Sequence, residues 1–253
     1  MPRLVTVSIV TPTAALRPRA YVCVKGPDAE DFLQRMLSND VTQSELFDAL
    51  LLTPKARLIA PLRVWRRGAQ DFLLLTEPEL GELVRTTLLR SRFAAKCAIE
   101  QEQHTSTLVW SDDFAAAEEL LDSDVAPTVD AETVERLRVE AGVPAWGKEL
   151  DESILPAEAG LDETHISFTK GCYPGQEPIA RLHYRGHTNR KLRVLEIESA
   201  RPGDEIAYEG KTVGRVTSAV PGRALGYVRT DVPDDAELLV AGTTATLIPA
   251  PRP

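Results

Sequence analysis

The chain has 253 residues, of which 43% are hydrophobic, and a formal net charge of -9; it is long enough for one large or two to three small cores and has an ordinary globular composition. Its three cysteines, at positions 23, 97 and 172, are odd in number and widely spaced. That excludes a disulfide framework and a self-contained zinc or iron–sulfur site, which wants about four nitrogen or sulfur ligands. No stretch approaches the ~20 apolar residues of a membrane span, so the expectation is a soluble protein of a reducing, cytoplasmic compartment.

Residues 4–10 alternate like a strand, and Thr6 and Ser8 break the run too early for a signal segment. A strand follows over 20–24, then a Gly26-Pro27-Asp28 turn into a helix whose Phe32, Leu33, Met36 and Leu37 fall at helical spacing. Asp28 is the expected N-cap, with Glu30 and Asp31 in the first turn. The helix ends at Ser38-Asn39-Asp40, either a simple turn or an ordered connection facing a ligand. Strands are predicted over 49–52, 57–65 and 72–75, a helix from Thr76 through Leu88, and strands over 97–100 and 106–110. Residues 114–121 read as a short helix. Strands interrupted by two helices predict an α+β subdomain with a ferredoxin-like sheet, not a βαβ nucleotide fold. Cys23 and Cys97 lie among apolar strand residues and read as core.

An acidic linker over 122–130 precedes a helix over 131–141 with Val134, Leu137 and Ala141 on one side, closed by Gly142 and Pro144. Glu140 falls in its last turn, where a carboxylate opposes the helix dipole, so it is solvated, paired with Arg136, or held for another purpose.

Lys170-Gly171-Cys172-Tyr173-Pro174-Gly175-Gln176-Glu177 packs a thiol, an ammonium, a carboxylate and two glycines into eight positions, ahead of a helix expected over 178–184. Glycines let the backbone approach a ligand. The helix dipole and Lys170 both favour a thiolate at Cys172. The alternative is a small buried hydrophobe in a tight turn. Lys170, Arg181, Arg185, Arg190, Lys191 and Arg193 form a basic island in an acidic chain. It suits a carboxylate or phosphate ligand, or is a solvated helix face, since Arg181 and Arg185 are spaced i, i+4. His183 and His187 share that spacing, but Gly186 breaks the helix between them and no metal site is expected. From residue 192 onward, six short strands separated by Pro-Gly, Glu-Gly and Pro-Asp-Asp turns predict a small β-barrel or jelly roll, followed by a Pro-rich tail at 249–253.

Three blocks occur in order: residues 24–34 with Leu37-Ser38-Asn39-Asp40-Val41; residues 137–142 running through Gly147-Lys148-Glu149-Leu150 to 156–161; and the octapeptide, which matches the signature K-G-C-[aromatic]-x-G-Q-E. Together they resemble the YgfZ family of folate-binding proteins over nearly the whole chain. That family is similar to the aminomethyltransferase (T-protein) of the glycine cleavage system. The resemblance implies an α+β fold of three subdomains in a cloverleaf around a central folate channel, with a C-terminal β-barrel. In this chain it implies a discontinuous folate-binding core domain of residues 1–48 and 122–190, a ferredoxin-like subdomain of 49–121 and a barrel of 191–253.

The functional pair it implies is Cys172 and Lys170, with Glu140 holding the pterin edge and Asn39 and Asp40 facing the same channel. Tyr173, Gln176 and Arg181 complete the folate-binding set it suggests, and the basic residues over 181–193 would meet the glutamate tail. The implied function is a tetrahydrofolate-binding accessory factor in iron–sulfur cluster assembly or repair. Its partners would be cluster clients or assembly proteins, among them tRNA-modifying enzymes, with neither a membrane nor direct nucleic-acid binding. The alternative is a folate-dependent aminomethyl- or methyltransferase. T-proteins carry an acid for the transfer step after the strand that here ends Leu74-Leu75-Thr76-Glu77-Pro78; no aspartate matches it, and Glu77, the nearest acid, reads as a helix cap. Folate binding without transfer is what that departure implies.

Overall fold

The computed structural model describes residues 12–248, so the strand expected over 4–10 and the tail at 249–253 lie outside the described residues. The described chain begins with β1 (Thr13–Leu16) and β2 (Ala20–Lys25), whose middle four residues are buried on both faces. α1 (Ala29–Met36) follows. Asp28 stands at its N-cap with φ -102° and ψ 10°, not the extended geometry that aims a side chain at the helix amides. Its carboxylate instead accepts the Lys96 backbone N–H at 2.7 Å.

β3 (Leu46–Leu52), β4 (Leu58–Gly68) and β5 (Asp71–Thr76) form an antiparallel meander. A 3-10 turn at Pro78–Leu80 then leads into α2 (Gly81–Ser91), which returns the chain to β6 (Ala98–Glu102). The sheet order is β3-β4-β5-β2-β6, in which β2, α1, β4, β5, α2 and β6 make a split β-α-β unit with β3 added at its edge. Strand pairing therefore does not follow the division expected at residue 48: β2 and α1 belong with this sheet. Helices α1 and α2 cover one face, over a core that includes Val24, Phe32, Leu33, Leu62, Phe72 and Leu88.

β7 (Ser106–Trp110) leaves that sheet and pairs with β1 and with β8 (Glu118–Leu121) in a separate three-stranded sheet. The helix expected over 114–121 is thus a 3-10 turn at Phe114–Ala116 followed by a strand. The segment is too short to stabilise an α-helix by itself, and the backbone of 118–121 pairs instead with β7.

α3 (Ala131–Glu140) is capped by Asp130, whose carboxylate accepts the Thr133 N–H at 2.9 Å. Val134 and Leu137, expected as its apolar side, are half-buried. The buried positions within the helix are Arg138 and Val139. α4 (Gln176–Arg185) begins two residues before the expected helix. The chain then closes into a six-stranded barrel of β9 (Arg190–Glu196), β10 (Glu205–Tyr208), β11 (Lys211–Val220), β12 (Arg223–Arg229), β13 (Glu237–Val240) and β14 (Thr243–Ile248), in the order β10-β11-β12-β9-β14-β13. Leu195, Ile206, Leu238, Val240 and Ala245 fill it. No helix among the described residues is long and apolar enough to cross a membrane.

Candidate functional site

Two places bring together chemistry-bearing side chains. The first is the loop before α4. Tyr173 is buried against Leu50, Leu52, Ile154 and Ile179, which pins the middle of the loop. Gly175 has φ +86°, and a Cβ there would come within 2.7 Å of the Thr53 carbonyl oxygen, so the chain turns into α4 pressed against the β3–β4 connection. Gly171 by contrast has open space around it. Between these glycines Cys172 is exposed, whereas Cys23 and Cys97 are buried.

Lys170 braces the other end. Its ammonium donates to the carbonyls of Leu37 at 2.7 Å and Asn39 at 2.8 Å, and lies 5.4 Å from the Tyr173 ring centroid. Burial pulls its pKa down to about 8, against the pull of the Asp40 carboxylate. The role expected for Lys170, beside the sulfur, is thus occupied by two backbone acceptors. Gln176 opens α4, its N–H donating to the Tyr173 carbonyl at 3.3 Å. Arg181 is exposed and paired with Glu177 at 3.3 Å.

The turn at residues 38–40 is stitched to the same region. Ser38 is fully buried; its hydroxyl donates to the His165 carbonyl at 2.6 Å and accepts the Leu50 N–H at 2.8 Å. Asn39 donates to the carbonyls of Asp48 and Thr164, and Asp40 accepts from Thr42 and Gln34. Those bonds hold the Asp40 carboxyl below its usual range, the Thr42 backbone N–H foremost. The structure therefore does bring the first and third sequence blocks together, and it spends Asn39 and Asp40 on the turn.

The second place is a central cavity of about 1040 Å³, bounded by the open face of the five-stranded sheet, the three-stranded sheet, the loops around α3 and α4, and the barrel. Its wall is strongly charged. Glu77 accepts from Arg17 at 2.6 Å and from Arg19 at 3.2 Å, and Arg19 reaches Glu119 at 3.0 Å. Asp48 and Arg63 face the same space, as does His165, whose pKa is lowered chiefly by burial. Glu140 is not in that wall: it lies half-exposed on the last turn of α3 with Arg136 3.2 Å away, one residue before Ala141 and Gly142, which do line the cavity. Neither Cys172, Lys170, Asn39 nor Asp40 lines it.

Beside the wall formed by Leu182, His183 and Gly186 lies an apolar pocket of about 290 Å³ under Leu155, Ile166 and Phe168, bordered by Arg181. His183 stacks on Phe168 with centroids 3.8 Å apart.

Sequence reasoning missed Arg17, Arg19, Asp48, Arg63 and Glu119. The available signal lay in β3 and β4, where Asp48 and Arg63 interrupt the apolar alternation of Leu46, Leu50, Trp65 and Pro61 on one face. It also missed the lock on α3. Arg138 donates to Glu149 at 2.7 Å and to Ser218 at 2.8 Å, and Ser218 donates to Glu149 at 2.6 Å.

Residues 189–252 match the model of the CAF17 C-terminal beta-barrel domain. The chain is 25% identical over 273 residues to the tRNA-modifying protein YgfZ of Cronobacter sakazakii, covering 85% of this chain and 83% of that protein. It is 27% identical over 255 residues to a mitochondrial iron-sulfur cluster assembly factor IBA57 homolog of Pyricularia oryzae, covering 84% of this chain and 64% of that one. The chain spans from 23% to 83% of the length of these and other curated relatives it matches. The crystal structure of the glycine cleavage system aminomethyltransferase T from Bartonella henselae superposes with a TM-score of 0.77 over 94% of this chain and 86% of that one; at 17% identity, what is shared is the fold. The barrel match, the aminomethyltransferase fold and these relatives agree with one another: the chain is similar to the YgfZ and IBA57 proteins and, in fold, to the aminomethyltransferases.

Proposed function

We propose that this protein is an accessory factor in iron–sulfur cluster assembly or repair, that it binds a reduced folate in its central cavity, and that Cys172 is the residue that meets the cluster or the client. The observation that carries this reading is the presentation of the sulfur: of three cysteines it alone is exposed, on a loop fixed by Tyr173, Gly175 and Lys170. A braced thiol is suited to one contact with iron. One thiol cannot hold a cluster, so the remaining ligands belong to the partner, and the cluster is cargo.

The cavity supports the folate half of the reading. Its volume of about 1040 Å³ sits at the upper end of the roughly 300–1,000 Å³ of small-ligand sites, and its wall mixes guanidinium and carboxylate groups. When bound, a reduced folate supplies a redox-sensitive pterin ring. The residues of this chain bind and enclose it, while Glu77, shared between Arg17 and Arg19, is held as an ion-paired wall group and not as a free proton acceptor. That favours binding without one-carbon transfer.

The test is complementation. In cells lacking the native protein, Cys172→Ser should fold, bind 5-formyltetrahydrofolate like the wild type and fail to restore the activity of a cluster-dependent tRNA-modifying enzyme. Full rescue would remove the thiol from the mechanism. Turnover of an aminomethyl donor by the purified protein would replace the assembly reading with the transferase one.

A further inference from the structure

The apolar side of α4 is left incomplete. Within this helix only Ile179 is buried. Pro178 and Leu182, one turn apart on the same side, are half-buried. With Leu155, Ile166 and Phe168 they line the apolar pocket of about 290 Å³, and Leu155 and Phe168 are half-buried as well. Covering this pocket would remove further apolar surface from water.

The border of the pocket is cationic and aromatic. Arg181 and Arg185 lie on it, both exposed, and neither lines the central cavity. Arg185 makes no ion pair among the described residues. Arg181 is held by Glu177 at 3.3 Å with both side chains largely in solvent, a pairing that contributes little. Asp162 is the carboxylate in the lining. Tyr184 is 67% exposed and lies edge-on to Phe168 at 6.2 Å.

A small-molecule site needs polar groups that converge on the ligand and fix its orientation. None of the buried side-chain polar atoms left without a partner among the described residues belongs to this lining. The interior therefore suits an apolar side chain, and the arginines at the border suit acidic residues on the segment that carries it. Tyrosine and arginine around an apolar pocket are also the residues that dominate protein interfaces. Cys172 stands on the loop that leads into the same helix. Leu182 is about 9 Å along the helix axis from Gln176, so a partner segment a few residues long reaches both the pocket and the loop.

We propose that this pocket is the docking point for the protein that meets Cys172: it receives one bulky apolar side chain from an acidic segment of that partner, with Arg181 and Arg185 facing the flanking carboxylates. This rests on the reading of Cys172 above and deepens it by naming the chemistry of the partner's segment.

The experiment uses the exposed sulfur as a handle. Three synthetic peptides each carry a cysteine on a flexible glycine linker of roughly four to eight residues: one ends in Asp-Glu-Phe-Glu-Asp, one has alanine for the phenylalanine, and one has lysines for the acids. Each is equilibrated with the full chain under rising 2-mercaptoethanol, and the mixed disulfide at Cys172 is quantified by mass spectrometry. Docking raises the effective concentration of the peptide thiol, so wild type should retain the acidic phenylalanine peptide at least about tenfold better than either control. Phe168→Ala should lose the preference for phenylalanine and Arg185→Glu the preference for acids, each with its unfolding midpoint checked. In cells lacking the native protein, Arg185→Glu should restore a cluster-dependent enzyme only in part while binding 5-formyltetrahydrofolate like the wild type.

Equal trapping of the three peptides by wild type, a preference for acids that survives Arg185→Glu, or full rescue by that variant overturns the inference. Loss of folate binding in Arg185→Glu assigns the arginine to the cavity ligand and overturns it as well. A wild-type dimer that dissociates in Arg185→Glu seats a second copy of this chain on the pocket in place of a partner, and also overturns it. Full rescue by Cys172→Ser removes the thiol reading alone, because the peptide preferences still decide whether the pocket takes an acidic segment.

Discussion

The Lys170 ammonium lies 2.7 Å from the Leu37 carbonyl oxygen, joining two residues 133 positions apart at the end of α1 and the start of the Cys172 loop. A second bond to Asn39 makes it a two-pronged brace. Lys170→Met leaves both carbonyls without that donor and should lower the unfolding free energy by about 1.5–3 kcal/mol, the range for hydrogen bonds to charged groups. The sign of the pH dependence also follows. Burial lowers this lysine's pKa from 10.5 to about 8, so between those values the unfolded chain binds more protons and the lysine's contribution rises with pH. The neutral amine still has two N–H groups for the two carbonyls. Denaturant titrations of wild type and Lys170→Met at pH 7 and pH 9.5 should show the gap widening at the higher pH; a narrowing gap would contradict the brace.

Gly175 carries the other end of the loop. At φ +86° an L side chain is strained, and the Cβ would sit 2.7 Å from the Thr53 carbonyl oxygen, a backbone atom that cannot rotate away. Gly175→Ala should cost on the order of 1–3 kcal/mol and loosen the presentation of Cys172. Faster reaction of Cys172 with a bulky maleimide, alongside a lower thermal midpoint, checks both effects.

What was legible in the sequence follows the range of the interaction. The barrel strands and the β3–β5 meander announce themselves through local alternation and turn residues, and Gly142 and Asp130 mark the ends of α3. β8 did not, because its four residues are ordered by pairing with β7 and not by their own pattern. The octapeptide was visible as a site, but its geometry was not: Lys170 looked like a neighbour of Cys172 because the carbonyls it reaches are remote in sequence. Asp48 and Arg63 require the register of two strands before they meet. Arg138 is buried through Glu149 and Ser218, which reach it from other elements and leave no mark in the pattern of its own helix.

That last cluster predicts a particular pattern of coupling. Arg138, Glu149 and Ser218 are buried, and Tyr227 of the barrel donates to the Glu149 carbonyl at 2.9 Å, so the group ties α3 and its following loop to β11 and β12. The two removals are not equivalent, because Arg138 also has Glu135 2.6 Å away: Arg138→Met strands Glu149 and should cost roughly 3–5 kcal/mol, Glu149→Leu leaves Arg138 paired and should cost less, and the double variant should cost less than the sum. Chemical denaturation of the four proteins measures the coupling, and additive losses would show that the pair does not act as one unit.

His104 joins the two sheets. Its Nδ1 is 2.6 Å from Asp122 at the end of β8, and its Nε2 is 2.8 Å from Glu102 of β6, with Tyr21 of β2 edge-on at 5.2 Å and Arg67 of β4 also bound to Glu102. A neutral imidazole has one N–H and cannot donate to both carboxylates. Burial alone would lower the His104 pKa, but the bonds to Glu102 and Asp122 outweigh it and raise it above its ordinary value of 6.5. Asp122 is correspondingly held below 3.8, mainly by His104. A raised histidine pKa gives stability that is complete below about pH 6.5 and is lost as pH rises through the folded value, while the lowered carboxylates lose theirs only in strong acid. Thermal midpoints of wild type should therefore fall from pH 6 towards pH 8 by more than those of His104→Asn, which keeps one donor but cannot titrate. Ring chemical shifts of His104 followed over the same range would place its titration above that of a free histidine; a titration below 6.5 would mean that the clasp between the sheets does not hold a charged ring.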